Sequence, residues 1–263
     1  MKKNKSLKQK LSSNEITIGS WITLGNASVA EIMTKAGFDW LTVDMEHSAI
    51  TLYQAQQLIQ VIELSGVAPL VRIGENDSTL IKRVMDAGAH GVIVPMVNTK
   101  EDAVKAVNAV KYPPVGQRGV GLARAQGYGL EFEKYREWVN TESVVIVQIE
   151  HIEAVNNLDD ILGTKDVDGF IVGPYDLSAS LGIPGEFDNP QVVEALLRIK
   201  QIADGHGVVP GFHVIPPDIE EVSKIINKGY RFVGFSLDEM ILGQTCLDKM
   251  REIRQGIHDK HRD

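Results

Sequence analysis

One cysteine, Cys246, stands among 263 residues. A lone thiol excludes an intramolecular disulfide framework and any zinc site built from clustered cysteines. It fits a cytoplasmic location. No apolar run reaches the roughly 18 residues that a membrane span needs. The start, MKKNKSLKQK, holds five lysines and no acid, yet no apolar core of a signal peptide follows it. Residues 1–14 therefore read as a basic, solvated N-terminal helix or tail. Setting those five lysines aside leaves 22 basic against 35 acidic residues, a body charge of −13. A body that acidic excludes nucleic acid as the expected partner. No Ser/Gly/Pro-rich linker and no low-complexity stretch divides the chain, so one domain over 1–263 is expected. No G-x-G-x-x-G follows the first apolar run, which disfavours the doubly wound dinucleotide-binding sheet.

What is present is an alternation. Eight short runs rich in Val, Ile and Phe lie at 16–22, 39–45, 67–73, 90–96, 144–150, 168–174, 208–214 and 230–236. They are apolar on both faces, as buried parallel strands are. Longer amphipathic segments separate them, at Ala27–Ala36, Thr51–Leu64, Asp77–Ala87, Thr99–Val110, Glu131–Asn140, Ile152–Leu162, Pro190–Ala203, Pro217–Asn227 and Leu237–His258. Several stop at Gly or Pro and open on Thr or Asp. Strand–helix alternation eight times over, at this length, predicts an α/β fold, a closed (β/α)8 TIM barrel. The Gly-rich stretch Val115–Gly129 interrupts the alternation and carries Arg118 and Arg124. Long loops inside compact domains tend to be functional.

Barrel chemistry sits at the C-terminal ends of the strands. No lysine stands at any of those ends, which disfavours a Schiff-base mechanism. Glu150 and Asp176 follow consecutive strands, which are neighbours in a barrel. Their carboxylates predict a hard-cation site of the Mg2+ or Mn2+ kind. Either carboxylate alone also fits a helix cap. His47 follows the second strand beside Asp44 and Glu46, and imidazole has the pKa range of a base. Arg72 closes the apolar run VAPLV, where a guanidinium meets an oxyanion or carboxylate. The Gly173–Pro174–Tyr175–Asp176 turn puts backbone N–H groups at a helix start, where an anion binds. Together these groups predict metal-held enolate chemistry on an α-keto acid, making or breaking the adjacent C–C bond.

Six stretches carry a resemblance: AGFDWLTVDMEHS (36–48), PLVRIGEND (69–77), VPMVNTKEDA (94–103), YPPVGQRGVGLARA (112–125), VQIE (147–150) and GPYDLSASLGIPG (173–185). In this order they resemble the HpcH/HpaI class II aldolases, the 4-hydroxy-2-oxoheptanedioate and 2-dehydro-3-deoxyglucarate aldolase group, from about Ile18 to Leu247. The resemblance implies a barrel of the phosphoenolpyruvate/pyruvate-domain type with an extra terminal helix. It implies a homo-hexamer, a trimer of dimers whose last helix is exchanged between neighbours. It also implies Mg2+, Mn2+ or Co2+ and cleavage to pyruvate plus an aldehyde. Glu150 and Asp176 then match the metal ligands, His47 the base and Arg72 the enolate stabiliser. Gln148 and Pro174 match substrate contacts, and the backbone at Tyr175 and Asp176 would hold the pyruvate carboxylate. Asp44 would lie near the metal's waters. Asp86 matches the acid that supports the histidine, and a helix-end residue reaches His47 only from a neighbouring subunit.

Three residues depart from the family pattern. Tyr175 stands where a small residue is common. His213 replaces an apolar residue facing the aldehyde, and His151 stands where Thr or Ser is common. They leave the enolate half intact and the aldehyde open. Two alternatives are carried forward. One is a citrate synthase-like condensing enzyme, whose acyl-CoA phosphates have only Arg118 and Arg124 as loop candidates. The other is a non-catalytic barrel binding protein, which would be expected to have lost some of the four central residues.

Overall fold

Eight parallel strands close on themselves in chain order. They are β1 (Thr17–Ile22), β2 (Trp40–Asp44), β3 (Ala68–Arg72), β4 (Gly91–Val94), β5 (Val144–Ile149), β6 (Gly169–Val172), β7 (Val209–Val214) and β8 (Phe232–Leu237). The computed structural model describes residues 5–260. Every expected strand is present, trimmed by up to two residues at an end or shifted by one. The runs are apolar on both faces because one face lines the barrel and the other meets the helices. The barrel is a (β/α)8 fold with an additional C-terminal helix.

The helices are α1 (Leu7–Ser12), α2 (Ala27–Thr34), α3 (Leu52–Leu64), α4 (Ser78–Asp86), α5 (Lys100–Val110), α6 (Phe132–Thr141), α7 (Ile152–Asn156), α8 (Leu158–Leu162), α9 (Pro174–Ser180), α10 (Pro190–His206), α11 (Ile219–Asn227) and α12 (Asp238–Lys260). Thr51, Asp77 and Thr99 cap α3, α4 and α5, each side chain accepting from the backbone N–H three residues on. The expected helix 152–162 is two short helices, α7 and α8, meeting at Asn157. No helix among the described residues is long and apolar enough to cross a membrane.

Of the two forms expected for the N-terminal segment, a helix or a tail, the described part is a helix, but a docked one rather than a solvated one. Met1–Asn4 lie outside the described residues. From Leu7 the chain forms α1, whose Leu7 and Leu11 are buried against Trp40, Leu70, Ile146 and Phe232 at the N-terminal mouth of the barrel. Lys8 pairs with Asp168 and Lys10 with Asp39, so the lysines are anchors. Spacing at i and i+4 puts both leucines on one face, and burying each contributes about 1.5–3 kcal/mol.

The seam between β1 and β8 is irregular. Gly19 is opposite Gly234 but Trp21 is opposite Leu237, so β8 carries one extra residue. That bulge falls at Ser236, which is held at φ 52°. Asp238 ties the seam above it, accepting from the backbone of Thr23 and Leu24 and from the Thr23 hydroxyl.

Candidate active site

Arg72 is the fixed point of the C-terminal mouth. Asp44, buried at the end of β2, takes its guanidinium in a two-point grip: Nε to Oδ1 at 3.0 Å and Nη2 to Oδ2 at 2.6 Å. The register opposes Asp44 to Arg72 across the two strands, which makes the grip possible. Asp44 Oδ1 also accepts the backbone N–H groups of Glu46 and His47, so one carboxylate shapes the whole turn after β2. Burial pushes Asp44 up, but Arg72 and the turn N–H groups outweigh it and hold the carboxyl below its ordinary range. Arg72 is thus a permanent cation with a set orientation.

Glu150 follows β5. Gln148 and Glu150 are two residues apart, hence on one face of the strand, and Gln148 Nε2 donates to Glu150 Oε2. The backbone N–H of Met96 donates to Oε1 at 2.7 Å. Met96 is itself held at φ 50°, an uncommon conformation for a residue with a side chain. Gly173 leaves room for the carboxylate, since a Cβ there would come within 2.9 Å of Oε2. Asp176 stands in the first turn of α9, which Pro174 opens. Burial raises Glu150, and the charge of Asp176 raises it further.

His47 lies on the turn after β2 with its side chain 65% exposed, and its Nε2 is 3.8 Å from Glu46 Oε2. Glu46 is the residue that sequence reasoning noted only as a neighbour of His47. Its side chain is mostly covered, Arg72 Nη1 lies 3.3 Å away, and Oε2 is buried without a hydrogen bond. Burial pushes Glu46 up to about 7; Arg72 opposes this, while the charges of Glu150, Asp44 and Asp176 add to it. The signal available in the sequence was the pair of acids flanking one strand end, Asp44 and Glu46.

A cleft of about 260 Å3 is lined by Asp44, His47, Arg72, Gln148, Pro174, Tyr175, Asp176 and His213, together with the apolar Trp21, Ile215 and Leu237. It contains no lysine. A groove of about 580 Å3 between α4 and α5 is larger but sets surface lysines and amides together without a base beside an oxyanion donor. Tyr175 meets Phe187 edge to face at 4.8 Å at the rim. His151 caps α7, its Nδ1 accepting from the N–H of Glu153, which is the work a Thr or Ser hydroxyl does at that position.

The donor set fits a divalent cation. Two carboxylates from adjoining strands share one field, Glu150 is raised by it, and the orphaned oxygen of Glu46 stands in the same field. A dication would relieve all three effects. Among the described residues no three His, Cys, Asp or Glu side chains form a closed ligand set. A site of two carboxylates completed by water or substrate oxygens is the hard-cation pattern.

Asp86 is not brought to this cleft. It ends α4 at the opposite mouth, where its Oδ1 accepts from Arg118 Nη2 at 2.5 Å and Gln126 Nε2 at 3.1 Å. Arg118 is buried in that pair and Arg124 is paired with Glu63, so neither arginine is available for the phosphates of a coenzyme.

The sequence profile of the HpcH/HpaI aldolase/citrate lyase family matches residues 17–244. The 2-keto-3-deoxy-L-rhamnonate aldolase of Escherichia coli (strain K12) is 35% identical over 254 residues, 95% of this chain and 93% of that one. A crystal structure of a family member from Burkholderia cenocepacia J2315 superposes with a TM-score of 0.89 at 33% identity, covering 94% of this chain and 98% of the other. The citrate synthase SbnG superposes with a TM-score of 0.85 at 27% identity, covering 95% and 98%.

Proposed function

The chain belongs to the HpcH/HpaI aldolase/citrate lyase family, and from that membership we propose that it is a divalent-metal-dependent aldolase that splits 4-hydroxy-2-oxo acids into pyruvate and an aldehyde. The observation that carries this reading is the Asp44-clamped Arg72 beside the Glu150–Asp176 carboxylate pair. Glu150 and Asp176 would hold the metal, with Mg2+, Mn2+ and Co2+ as the candidate ions. When bound, a divalent cation supplies a Lewis acid at the oxo acid.

The chain's own groups account for the rest. Tyr175 and Asp176 offer backbone N–H groups at the start of α9 to the substrate carboxylate, and Gln148 and Pro174 flank it. Cleavage needs a base to take the proton of the 4-hydroxyl. The C3–C4 bond then breaks, the aldehyde leaves, and the electron pair settles as an enolate of pyruvate. His47 is the base, open to the cleft with its Nε2 3.8 Å from Glu46 Oε2. Arg72 donates to the enolate oxygen in a pose fixed before substrate arrives, so stabilisation costs no reorganisation. A proton returned to C3 gives pyruvate.

Asp86 would support His47 only from a neighbouring copy. Its Oδ2 takes no hydrogen bond from a described residue, and α12 exposes Leu242, Leu247, Met250 and Ile253. Both features support the expected hexamer with an exchanged last helix. The single exposed thiol of Cys246 fits a cytoplasmic home. The condensing alternative finds Arg118 and Arg124, its candidates for the coenzyme phosphates, already paired with Asp86 and Glu63.

Purified protein given a 4-hydroxy-2-oxo acid is expected to release pyruvate, and EDTA is expected to stop it. Release that persists after chelation counts against the reading. His47→Ala is expected to cost about 10²–10⁴-fold in kcat with metal binding retained; unchanged turnover would remove His47 from the reaction.

A further inference from the structure

Two histidines line the cleft, and only one is fixed. His213 lies near the end of β7 with its ring stacked on Trp21, centroids 4.0 Å apart and planes 13° from parallel. Its Nε2 is 3.1 Å from the carbonyl oxygen of Ser236. A carbonyl only accepts, so Nε2 carries the hydrogen and Nδ1 of the neutral ring is a bare lone pair. Burial holds the imidazole neutral, down to about 4; the Ser236 carbonyl opposes this and the charge of Arg72 adds to it. No described residue donates to Nδ1, and the side chain lines the cleft with Nε2 taken by Ser236, which leaves Nδ1 free. It is an acceptor presented to the cleft.

The surrounding backbone is arranged around this pose. A Cβ on Gly234 would stand 2.4 Å from Trp21 and 3.1 Å from His213, so the stack needs glycine there. Ser236 is the extra residue of the β8 bulge and is held at φ 52°, a conformation that costs a serine energy. In that conformation its carbonyl takes both His213 Nε2 and the Ser20 hydroxyl. Bulges beside active sites re-aim groups in this way.

Position in the cleft says what meets the acceptor. Arg72 ends β3, Glu150 and Asp176 follow β5 and β6, and in the aldolase reading these three serve the oxo-acid end. His213 stacks on Trp21, and the closed strand order sets β7, β8 and β1 across the barrel from β3, β4 and β5. The β7–β8–β1 wall therefore faces the other half of the substrate. An uncharged acceptor gives nothing to an alkyl group and has no donor for a carboxylate, whereas a hydroxyl satisfies it. We propose that His213 Nδ1 accepts a hydrogen bond from a hydroxyl on the aldehyde half, so that the enzyme selects hydroxyaldehydes over alkyl or acidic ones. This rests on the aldolase reading.

The test runs the addition of pyruvate, with Mn2+, to two aldehydes of equal size: glycolaldehyde and propionaldehyde. The readout is the ratio of their kcat/KM values, compared between proteins, which cancels the intrinsic reactivity of each aldehyde. His213→Leu is expected to lower the ratio about tenfold relative to the parent, the scale of one hydrogen bond. His213→Gln, whose amide oxygen also accepts, is expected to restore part of it and serves if the leucine variant does not fold. A ratio that both variants leave unchanged, with both aldehydes turned over, overturns the role of His213 and spares the aldolase. Addition to neither aldehyde by the parent protein removes the aldolase reading and this inference with it.

Discussion

At the N-terminal mouth of the barrel two leucines of α1 plug an apolar interior, and the charged groups around them are paired: Lys8 with Asp168 and Lys10 with Asp39. Even the fully buried Lys111 is spent on the carbonyls of Val139 and Ser143 and the Ser143 hydroxyl. At the C-terminal mouth the same eight strands end in Asp44, Arg72, Glu150 and Ser236. There a carboxylate oxygen of Glu46 is left without a hydrogen bond, and Met96 and Ser236 are held at positive φ. The charges of one end are spent on one another, whereas those of the other converge on an open cleft. The difference teaches where the stability of this fold is spent. Unpaired buried atoms and residues at positive φ occur at both ends, Trp40 Nε1, Asn14 and Asp166 among them, so what sets the C-terminal mouth apart is that its charged groups line a cleft a ligand can enter.

Three changes break or sharpen that contrast. Glu150→Gln has the largest expected effect. It keeps the contact with Met96 N–H but removes a charge from the carboxylate pair. The Lewis-acid contribution of several kcal/mol should go with it, lowering kcat by about 10³-fold or more, while calorimetric titration with Mn2+ shows weakened binding. Full activity in that variant would mean the upper mouth is not a metal site. Leu11→Ala strikes the opposite end. Removing a buried leucine should cost about 2–5 kcal/mol in urea unfolding with KM left as it was. A KM that rises in step with instability would show the two ends to be coupled. The smallest effect concerns pH. An unfolded imidazole protonates near 6.5, whereas folded His213 stays neutral down to about 4. Below pH 6.5 the unfolded chain therefore binds a proton that the native one refuses. Relative to His213→Phe, the protein should keep its stability above that pH. It should lose on the order of 2 kcal/mol as pH falls toward 4. Equal pH profiles for the two proteins would mean that His213 takes up its proton as readily in the fold as in the unfolded chain.

Much of this was legible before any coordinates. The eight apolar runs are too short for helices, so their type and number followed from periodicity and length, and the carboxylates and cations at their ends followed from barrel geometry. What misled was α1. The five lysines of residues 1–10, two of them in α1, dominate the composition and point to a solvated segment, but the two leucines four residues apart decide where the helix lies. Glu46 escaped because its importance lies in burial and in the charges facing it from other strands, which a neighbour list along the chain does not contain. The role of Ser236 had no sequence signal, since a serine at positive φ is fixed by the closing register of β1 on β8.

The sequence by itself determined the order of strands and helices, the caps, and which side chains stand at strand ends, because all of these are local consequences of a repeat of 2 or 3.6 residues. Only the tertiary structure decided which of those side chains meet. Asp44 grips Arg72, and His213 turns its acceptor to the cleft, because strands distant in sequence close at one fixed register.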